Sequence, residues 1–591
     1  MKRGQEPVTD KIIEFLSKNE RISQIDDTSY KKYYAGKKYQ YLFEFNYSLP
    51  DRVIPMVFGI PANWDTALMD FYIKDYKEFP YIPHMGDKGL LCLCDIESVL
   101  IGKDFFGILG QLITRMESII ISGIKGENVV DFIEEFQSYW RLLPNVKTLK
   151  SFVKIETHSK IIKYSDNRKF ATKDKGRTYI DYLQKQNNYT FFASDTSNEF
   201  KLYGEKINPQ KNGLYIFIKS STFIVPPDWR RSITHQYVND LINHPSVSKK
   251  EIDKYLGKCQ NHVLIIFGIL QPNATITTFG VYISDISYSV DENRIIVNPS
   301  ASIIPCTLYR CDREFLLDRG GINHSLEGYK LLVIGCGSIG GYLISELVKT
   351  GFSHIDIVDN DLLKEENIYR HLLGMEYVNN YKSVAISEYL TKNFTGIDII
   401  SHVDTIENLL QDETLSLEHF DIIISAVGSH NVNRWINQYV HKNQIRKPVI
   451  YLWNEVLGIG NHVAIFSTEY AGCYECLLSE DDEGIYVRPS YCKRGQLFTR
   501  RLQGCGSSFL PYSSTNSLTV VVQAVKSIID YIEGKITDNF LISIKGDEGY
   551  MLKAGFTPSD RFYKQKEKVI MVEGKKIYNK DCECCKRMRG N

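Results

Sequence analysis

"KLLVIGCGSIGGYLISELVKTGFSHIDIVDNDLLKEENIYR" occupies residues 330–370 and decides the fold of the C-terminal part of the chain. It begins with an apolar run typical of a buried parallel strand. The run turns through Gly335, Gly337 and Gly340, and apolar residues then recur at helical spacing. A second apolar run ends at Asp359. A strand, a glycine turn, a helix and a second strand in this order predict a nucleotide-binding βαβ unit.

Two later apolar runs extend this pattern toward the C-terminus. They are FDIIISAVG at 420–428 and PVIYLWNEV at 448–456. Strands alternating with helices predict an α/β domain with a doubly wound sheet over residues 316–591.

The preceding residues have a different composition. Residues 148–315 are rich in tyrosine, phenylalanine and β-branched side chains, as in HVLIIFGIL at 262–270, which predicts a strand-rich α+β middle domain. Residues 1–147 combine strand-like runs with a helical pattern at 129–143, so we expect a separate α+β domain there.

Composition narrows the classes of function. The 591 residues include 71 basic and 71 acidic side chains, so charge gives no reason to expect nucleic-acid or anionic-membrane binding. The N-terminus lacks the apolar segment of a secretory signal, and we expect a cytoplasmic protein. The 13 cysteines are then expected to be thiols or metal ligands rather than disulfides.

The glycine turn is suited to binding phosphate. Gly335 permits the tight turn, Gly337 lets the backbone approach a phosphate, and Gly340 lets helix and strand pack closely. The helix N-terminus offers free N–H groups to an anion, and Asp359 can hold ribose hydroxyls. Taken alone, the turn fits an NAD-dependent oxidoreductase as well as an ATP-using enzyme.

The polar residues after the second strand favour ATP. Asp359, Asp361, Asn367 and Arg370 stand in a D-x-D-x(5)-N-x-x-R spacing, and Lys382 follows. An amide and a guanidinium beside a ribose-binding acid suit a triphosphate, whose charge must be neutralised as pyrophosphate leaves.

This segment resembles the adenylating enzymes of the ubiquitin-activating, molybdopterin-synthase and thiamine-sulfur-carrier family. The resemblance implies ATP-dependent adenylation of a protein C-terminal carboxylate. It implies that Asp359 holds the ribose, that phosphates contact Asn367, Arg370 and Lys382, and that the three glycines line the nucleotide. Where the family usually has an acidic residue that helps to place Mg²⁺, this chain has Gly428 and Ser429. Asp361 or another group would then place the metal, or the chain is a scaffold with a decayed pocket.

Two C-x-x-C pairs suggest a structural zinc site. Cys473 and Cys476 form one pair, and Cys582 and Cys585 form the other. Four thiolates from two such pairs suit tetrahedral Zn²⁺. Cys584 is a spectator or an alternative ligand.

The resemblance also implies a nucleophile. A cysteine ahead of the family's final helix accepts the activated acyl group, and Cys505 has that place, with Cys492 as the alternative. Family members form homodimers and send an arginine from before the first strand into the partner's site, a position matched here by Arg313 or Arg319.

A second thiol site lies near the N-terminus. FPYIPHMGDKGLLCLCD at 79–95 resembles the active-site segment of ubiquitin-conjugating enzymes, and Cys92 aligns with their catalytic thiol. His84 replaces the usual oxyanion-stabilising amide, and an imidazole can donate a hydrogen bond or accept a proton there. Cys94 is the competing thiol, and a buried structural cysteine is the alternative role.

A conjugating domain before an activating domain resembles the fused enzymes of bacterial CBASS anti-phage operons. That group implies that a cGAS/DncV-like nucleotidyltransferase donates its C-terminus and that a lysine-bearing protein accepts it. An enzyme acting on a ubiquitin-like or sulfur-carrier protein is the alternative.

Overall fold

The computed structural model forms two compact units, Met1–Cys311 and Asp312–Asn591. It describes residues 23–25, 39–61, 66–94, 104–166, 190–198, 200–202, 205–259, 261–284, 288–291, 294–322, 326–501 and 508–586. The two units are described separately below.

The first unit begins with an antiparallel sheet of five strands. In order across the sheet they are Ser23–Gln24, Tyr39–Leu49, Arg52–Pro61, Asp70–Ile73 and Leu90–Leu91. Adjacent strands are consecutive in the chain and pair antiparallel. The last strand leads directly to Cys92.

One helix, Phe105–Lys125, packs on this sheet. Its length and mean hydropathy of 1.3 are those of a membrane span. In the structure, however, its apolar face is buried against the sheet, where Leu109, Met116 and Ile120 are fully covered. This packing is that of a core helix in a sheet-and-helix domain.

Seven further strands of the first unit close into a barrel. They are Lys147–Ser151, Lys160–Asp166, Thr190–Ser194, Lys211–Lys219, His262–Leu270, Ile276–Ser284 and Ser302–Arg310. Two short hairpins accompany them, Phe200–Leu202 with Glu205–Ile207 and Tyr288–Asp291 with Arg294–Val297. The helices His235–Ile242 and Lys249–Leu256 cover part of the barrel.

The predicted helix at 129–143 is two short helices, Val129–Glu134 and Phe136–Trp140. Their aromatic side chains share one core with the barrel strands. The buried indole N–H of Trp140 donates to the carbonyl of Cys306 at 3.0 Å. The sheet and the barrel therefore meet through these helices, which belong to the residues that we predicted for the N-terminal domain.

The second unit is built on an eight-stranded sheet, which confirms the predicted α/β class. The strands in sheet order are Asp398–His402, His354–Val358, Lys330–Ile334, Ile422–Ser425, Val449–Asn454, Gly460–Phe466, Phe540–Lys545 and Val569–Glu573. The first five are parallel and the last three are added antiparallel.

Helices cover both faces of this sheet. Ser338–Thr350, Lys382–Asn393 and Ser514–Ile532 contribute to one core, and Ile406–Gln411 and His430–Lys442 contribute to the other. Shorter helices are Arg313–Arg319, Glu548–Lys553, Asp560–Lys564, Gly574–Ile577 and Glu583–Lys586. Strand order reverses between Lys330–Ile334 and Ile422–Ser425, where open α/β sheets bind their ligands.

Candidate active sites

A cavity of about 490 Å³ lies at this reversal, beyond the carboxyl ends of the parallel strands. Six of the residues predicted to bind nucleotide line it: Gly335, Gly337, Asp359, Asp361, Arg370 and Lys382. Gly340 and Asn367 are not among its lining residues.

The glycine turn has the conformation that its sequence predicts. Gly335 has φ +93°, and a β-carbon on it would lie 2.9 Å from the carbonyl carbon of Ala426. A β-carbon on Gly340 would lie 1.8 Å from the carbonyl oxygen of Gly335. Gly340 therefore acts beneath the cavity, where it lets the helix start close to the strand.

Asp359 is fixed at the floor of the cavity. Its carboxylate accepts hydrogen bonds from the backbone N–H of Cys336 at 2.7 Å and of Asp361 at 2.8 Å. Burial raises the pKa of Asp359, and these hydrogen bonds oppose the rise. A carboxylate held in this way is suited to accept hydrogen bonds from ribose hydroxyls.

Two cationic side chains reach the cavity. Lys382 forms an ion pair of 2.8 Å with Asp361, and the guanidinium of Arg370 lies 5.4 Å from the ring centre of Tyr512. Asn367 instead caps the 3₁₀ helix to which it belongs, Glu365–Arg370, because its side-chain oxygen accepts from the N–H of Lys364 at 3.2 Å. A phosphate contact from Asn367 would require that cap to open.

The sequence did not single out several polar residues of this cavity. Asp404 and Glu407 follow the parallel strand Asp398–His402, and Asn454 ends another. Their position after strands was the available signal, since carboxyl ends of parallel strands share one edge. Ser429, at the position that is acidic in the family, caps the helix His430–Lys442 through its hydroxyl.

The four cysteines of the two C-x-x-C pairs are buried together. The sulfur of Cys473 lies 3.8 Å from that of Cys476 and 3.6 Å from that of Cys582. The sulfurs of Cys476 and Cys585 are 3.6 Å apart, and all four sulfurs lie within 4.8 Å of one another. Cys584 is buried but is not part of this group.

Nitrogen donors point at two of these sulfurs. The Asn437 side chain donates to Cys473 at 3.7 Å, and the backbone N–H of Asn579 donates to Cys476 at 3.4 Å. Such donors favour thiolate over thiol. The donor set and its surroundings therefore fit a structural Zn²⁺ ion.

The proposed acyl acceptor Cys505 lies outside the described residues. The alternative, Cys492, is half-buried, and its backbone N–H donates to Glu455 at 3.0 Å. Burial and the nearby Glu455 carboxylate raise the pKa of the Cys492 thiol. This environment disfavours the thiolate that attack by Cys492 would require.

The two candidate arginines before the first strand differ in their contacts. Arg313 donates to the carbonyl of Gly351 at 2.6 Å and pairs with Glu327 at 3.3 Å. Arg319 is exposed at the end of its helix. Arg313 is therefore held by contacts with its own unit, whereas the side chain of Arg319 faces solvent.

Cys92 is exposed, whereas its neighbours Leu91 and Leu93 are buried and Cys94 packs against the core. The backbone N–H of Cys92 donates to the carbonyl of His84 at 2.8 Å. His84 has a φ of 61°, an uncommon conformation that brings its ring beside the thiol.

Two carboxylates from the helices before the barrel hold the His84 ring. Its Nδ1 lies 3.0 Å from Glu135 and its Nε2 lies 3.0 Å from Asp131. The hydroxyl of Tyr139 donates to Glu135 and accepts from the backbone N–H of His84, each at 2.6 Å. No local pattern predicted these two carboxylates, because they are 47 and 51 residues from His84 in the chain.

This environment makes His84 a cation. Burial lowers its pKa, but hydrogen bonds with Cys92, Glu135 and Asp131 outweigh burial and raise the pKa of His84 to about 10. An imidazolium at neutral pH has no free lone pair with which to accept a proton. In this conformation the ring places positive charge beside the thiol.

Comparisons with known proteins match two families to parts of this chain. The ThiF family matches residues 317–545, and Prokaryotic E2 family B matches residues 11–149. The chain joins a ThiF-type adenylating domain to a prokaryotic E2-like domain. It is an ATP-dependent transferase, and the ThiF match decides against the oxidoreductase that the glycine turn alone allowed.

Relatives that match longer or shorter parts of the chain are also known. The ATP-dependent ubiquitin transferase-like protein Cap2 of Escherichia coli (strain TW11681) is 23% identical over 499 residues, 76% of this chain and 80% of the relative. Cap2 of Pseudomonas aeruginosa (strain BWHPSA011 / Pa011) is 22% identical over 481 residues, 77% of this chain and 81% of the relative. The NEDD8-activating enzyme E1 catalytic subunit of Dictyostelium discoideum is 29% identical over 117 residues, 20% of this chain and 26% of the relative.

Proposed function

We propose that this enzyme activates a protein C-terminus with ATP, carries it as a thioester on Cys505 and then on Cys92, and joins it to a lysine. The proposal combines the chemistry of the ThiF-type cavity with the exposed thiol of the E2-like domain. The similarity to Cap2 proteins supports a conjugation reaction of the ubiquitin type.

Adenylation is the first step. An oxygen of the substrate carboxylate attacks the α-phosphorus of ATP, and the bond from that phosphorus to the bridging oxygen of pyrophosphate breaks. Asp359 holds the ribose, while Lys382 and Arg370 offset the charge that develops on the leaving pyrophosphate. The products are an acyl-adenylate and pyrophosphate.

Two sulfur transfers follow. The thiolate of Cys505 attacks the acyl carbonyl, and AMP leaves. The thiolate of Cys92 then attacks the Cys505 thioester, and the Cys505 thiolate leaves. The first transfer replaces the acyl–oxygen bond of the adenylate with a thioester, and the second replaces one thioester with another. The acyl group therefore stays reactive without more ATP.

The last step forms an amide. A neutral lysine amine attacks the Cys92 thioester, the amine proton passes to solvent, and the Cys92 thiolate leaves. The charged His84 stabilises negative charge on the sulfur as it leaves, and Asp131 and Glu135 keep the ring in place. Covalent transfer of this kind requires a thiol open to two macromolecules, which the exposure of Cys92 provides.

Metal ions would assist without taking part in these bonds. Mg²⁺ supplies charge neutralisation for the ATP phosphates, and Asp361, Asp404 and Glu407 are the acidic cavity residues that would hold it. Zn²⁺ would be held by the cysteine quartet and would tie the C-terminal segment to the sheet.

We propose a cGAS/DncV-like nucleotidyltransferase as the acyl donor and a homodimer as the working form in the cytoplasm. The resemblance of the two-domain order to the fused enzymes of CBASS operons supports this choice of donor. An acyl donor of the ubiquitin-like or sulfur-carrier type is the alternative, and donor selectivity in the adduct assay below separates them.

The observation that carries the proposal is the exposed Cys92 beside a charged histidine, in a chain that also has a nucleotide cavity. Incubation with ATP and the donor protein, followed by non-reducing gels, tests it. Cys505→Ala should remove every thiol-sensitive adduct, and Cys92→Ala should keep the Cys505 adduct but form no amide. Cys94→Ser is the matched control and should conjugate normally. Full conjugation by Cys92→Ala would refute the assignment.

A further inference from the structure

A loop of the barrel part of the first unit touches the segment that carries His84 and Cys92. Asp228, Trp229 and Arg230 form this loop, between the strand Lys211–Lys219 and the helix His235–Ile242. Arg230 and Trp229 donate to backbone carbonyls between residues 76 and 85, and Asp228 orients Arg230, so the loop acts on the position of that chain segment.

Arg230 is the centre of these contacts. Its Nε and Nη2 donate to the two carboxylate oxygens of Asp228 at 2.8 and 2.7 Å, which fixes the plane of the guanidinium. Nη1 then donates to the carbonyls of Tyr76 at 2.5 Å, Phe79 at 2.6 Å and Lys77 at 3.3 Å. The side chain of Arg230 is only 11% exposed, so water does not readily replace it. One planar cation therefore holds three carbonyls of a turn.

Trp229 holds the other end of the segment. Its indole N–H donates to the carbonyl of Met85 at 3.3 Å, and its ring stacks on Tyr76 with centres 6.0 Å apart. Met85 pairs across a β-bridge with Leu91, the residue before Cys92. The indole contact is thus one backbone pairing away from the thiol.

The turn held by Arg230 also supports the strand that leads to Cys92. A β-carbon on Gly89 would lie 2.2 Å from the carbonyl oxygen of Ile73 and 2.8 Å from Cβ of Tyr76. Gly89 has φ +78°, three residues before the thiol. A shift of the turn at Tyr76 would therefore move the backbone at Gly89.

We propose that Asp228, Trp229 and Arg230 are positioning residues for the conjugation step, through which the barrel holds the Cys92 loop in its reactive geometry. This inference rests on the proposed role of Cys92. It gives the barrel a part in the reaction: the loop that carries the thiol depends on a neighbouring domain for its shape. The adenylation cavity, which belongs to the other unit, is not affected.

The test compares Arg230→Ala and Trp229→Phe with Arg231→Ala, a matched control at the exposed next position. We expect Arg230→Ala to keep the Cys505 adduct and ATP–pyrophosphate exchange, and to lower kcat for amide formation about tenfold or more with little change in KM for the donor. Trp229→Phe keeps an aromatic ring against Tyr76, so its kcat for amide formation should fall less than that of Arg230→Ala. Arg230→Lys should recover part of the rate. Amide hydrogen exchange over residues 76–92 should rise in Arg230→Ala and stay unchanged in Arg231→Ala.

Each contrary result has a distinct meaning. Wild-type conjugation rates in both Arg230→Ala and Trp229→Phe, with Cys92→Ala inactive, would overturn the positioning role and leave the function of Cys92 intact. An equal loss of pyrophosphate exchange and conjugation would indicate general unfolding and would also overturn it. Conjugation by Cys92→Ala would instead refute the function on which the inference rests.

Discussion

His84 differs from a histidine that catalyses by exchanging protons, because both of its ring nitrogens face carboxylates. The sequence could place His84 near Cys92 because both belong to one short segment. It could not show the charge on the ring, since Asp131 and Glu135 come from distant helices. At the scale of a residue, the resemblance predicted a thiol site in this segment but could not indicate its electrostatics.

The charge on His84 predicts how stability depends on pH. Its folded pKa of about 10 lies above the ordinary value of 6.5. Between these values the folded chain binds a proton that the unfolded chain does not, so the stabilisation is complete below about pH 6.5 and is lost as pH rises toward 10. We expect the charged His84 to contribute about 2 kcal/mol to the free energy of unfolding at neutral pH, once solvent screening is allowed for.

Histidine ¹³Cε1 spectra of the wild type and of His84→Gln measure the pKa of His84 directly. The signal that the wild type has and His84→Gln lacks belongs to His84. It should keep the chemical shift of an imidazolium up to pH 8. A midpoint near 6.5 for the His84 signal would contradict the assigned charge.

At the scale of elements, the glycine turn makes a steric prediction. Gly340→Ala places a methyl group against the carbonyl oxygen of Gly335 and should weaken ATP binding about tenfold or more, because helix and strand must separate. Gly341→Ala is the matched control, since its β-carbon would have neighbours no closer than 3.4 Å. Calorimetric titration with Mg-ATP measures both variants. Equal affinity in the two would contradict the packing role of Gly340.

The cysteine quartet predicts a metal content. Wild-type protein should carry roughly one Zn²⁺ per chain by mass spectrometry, and Cys582→Ser should lose it and melt at a lower temperature. Cys584→Ser is the control, because Cys584 is buried next to the quartet without belonging to it. Zinc retained in Cys582→Ser, or lost in Cys584→Ser, would contradict the assigned ligands.

Elements with a local signature were predictable, and elements assembled from distant parts were less so. The strand Lys330–Ile334, the turn and the helix Ser338–Thr350 are close to the pattern that their residues predict. The sequence analysis did not predict the antiparallel strands Phe540–Lys545 and Val569–Glu573, because they join the sheet far from the motif that identifies it. Asp404 was not predicted for a similar reason. It reaches the cavity only because the carboxyl ends of the parallel strands lie at the same edge of the sheet.

At the scale of the whole molecule, the order of domains suggests a relay from carboxylate to adenylate, to one sulfur, to a second sulfur and to an amine. The fusion keeps both thiols on one chain, which raises the effective concentration of one near the other to roughly millimolar for a flexible link. The barrel adds support for the loop that carries the second thiol. The sequence predicted strands for this region without indicating what they contact.

The most direct measurement is exchange of radiolabelled pyrophosphate into ATP in the presence of the donor protein. The account predicts exchange that requires a free donor C-terminus, disappears when that C-terminus is amidated, and persists in Cys505→Ala because adenylation precedes sulfur capture. Exchange that is absent with the free C-terminus, or equally fast with the amidated one, would contradict the claim that this cavity activates a protein carboxylate.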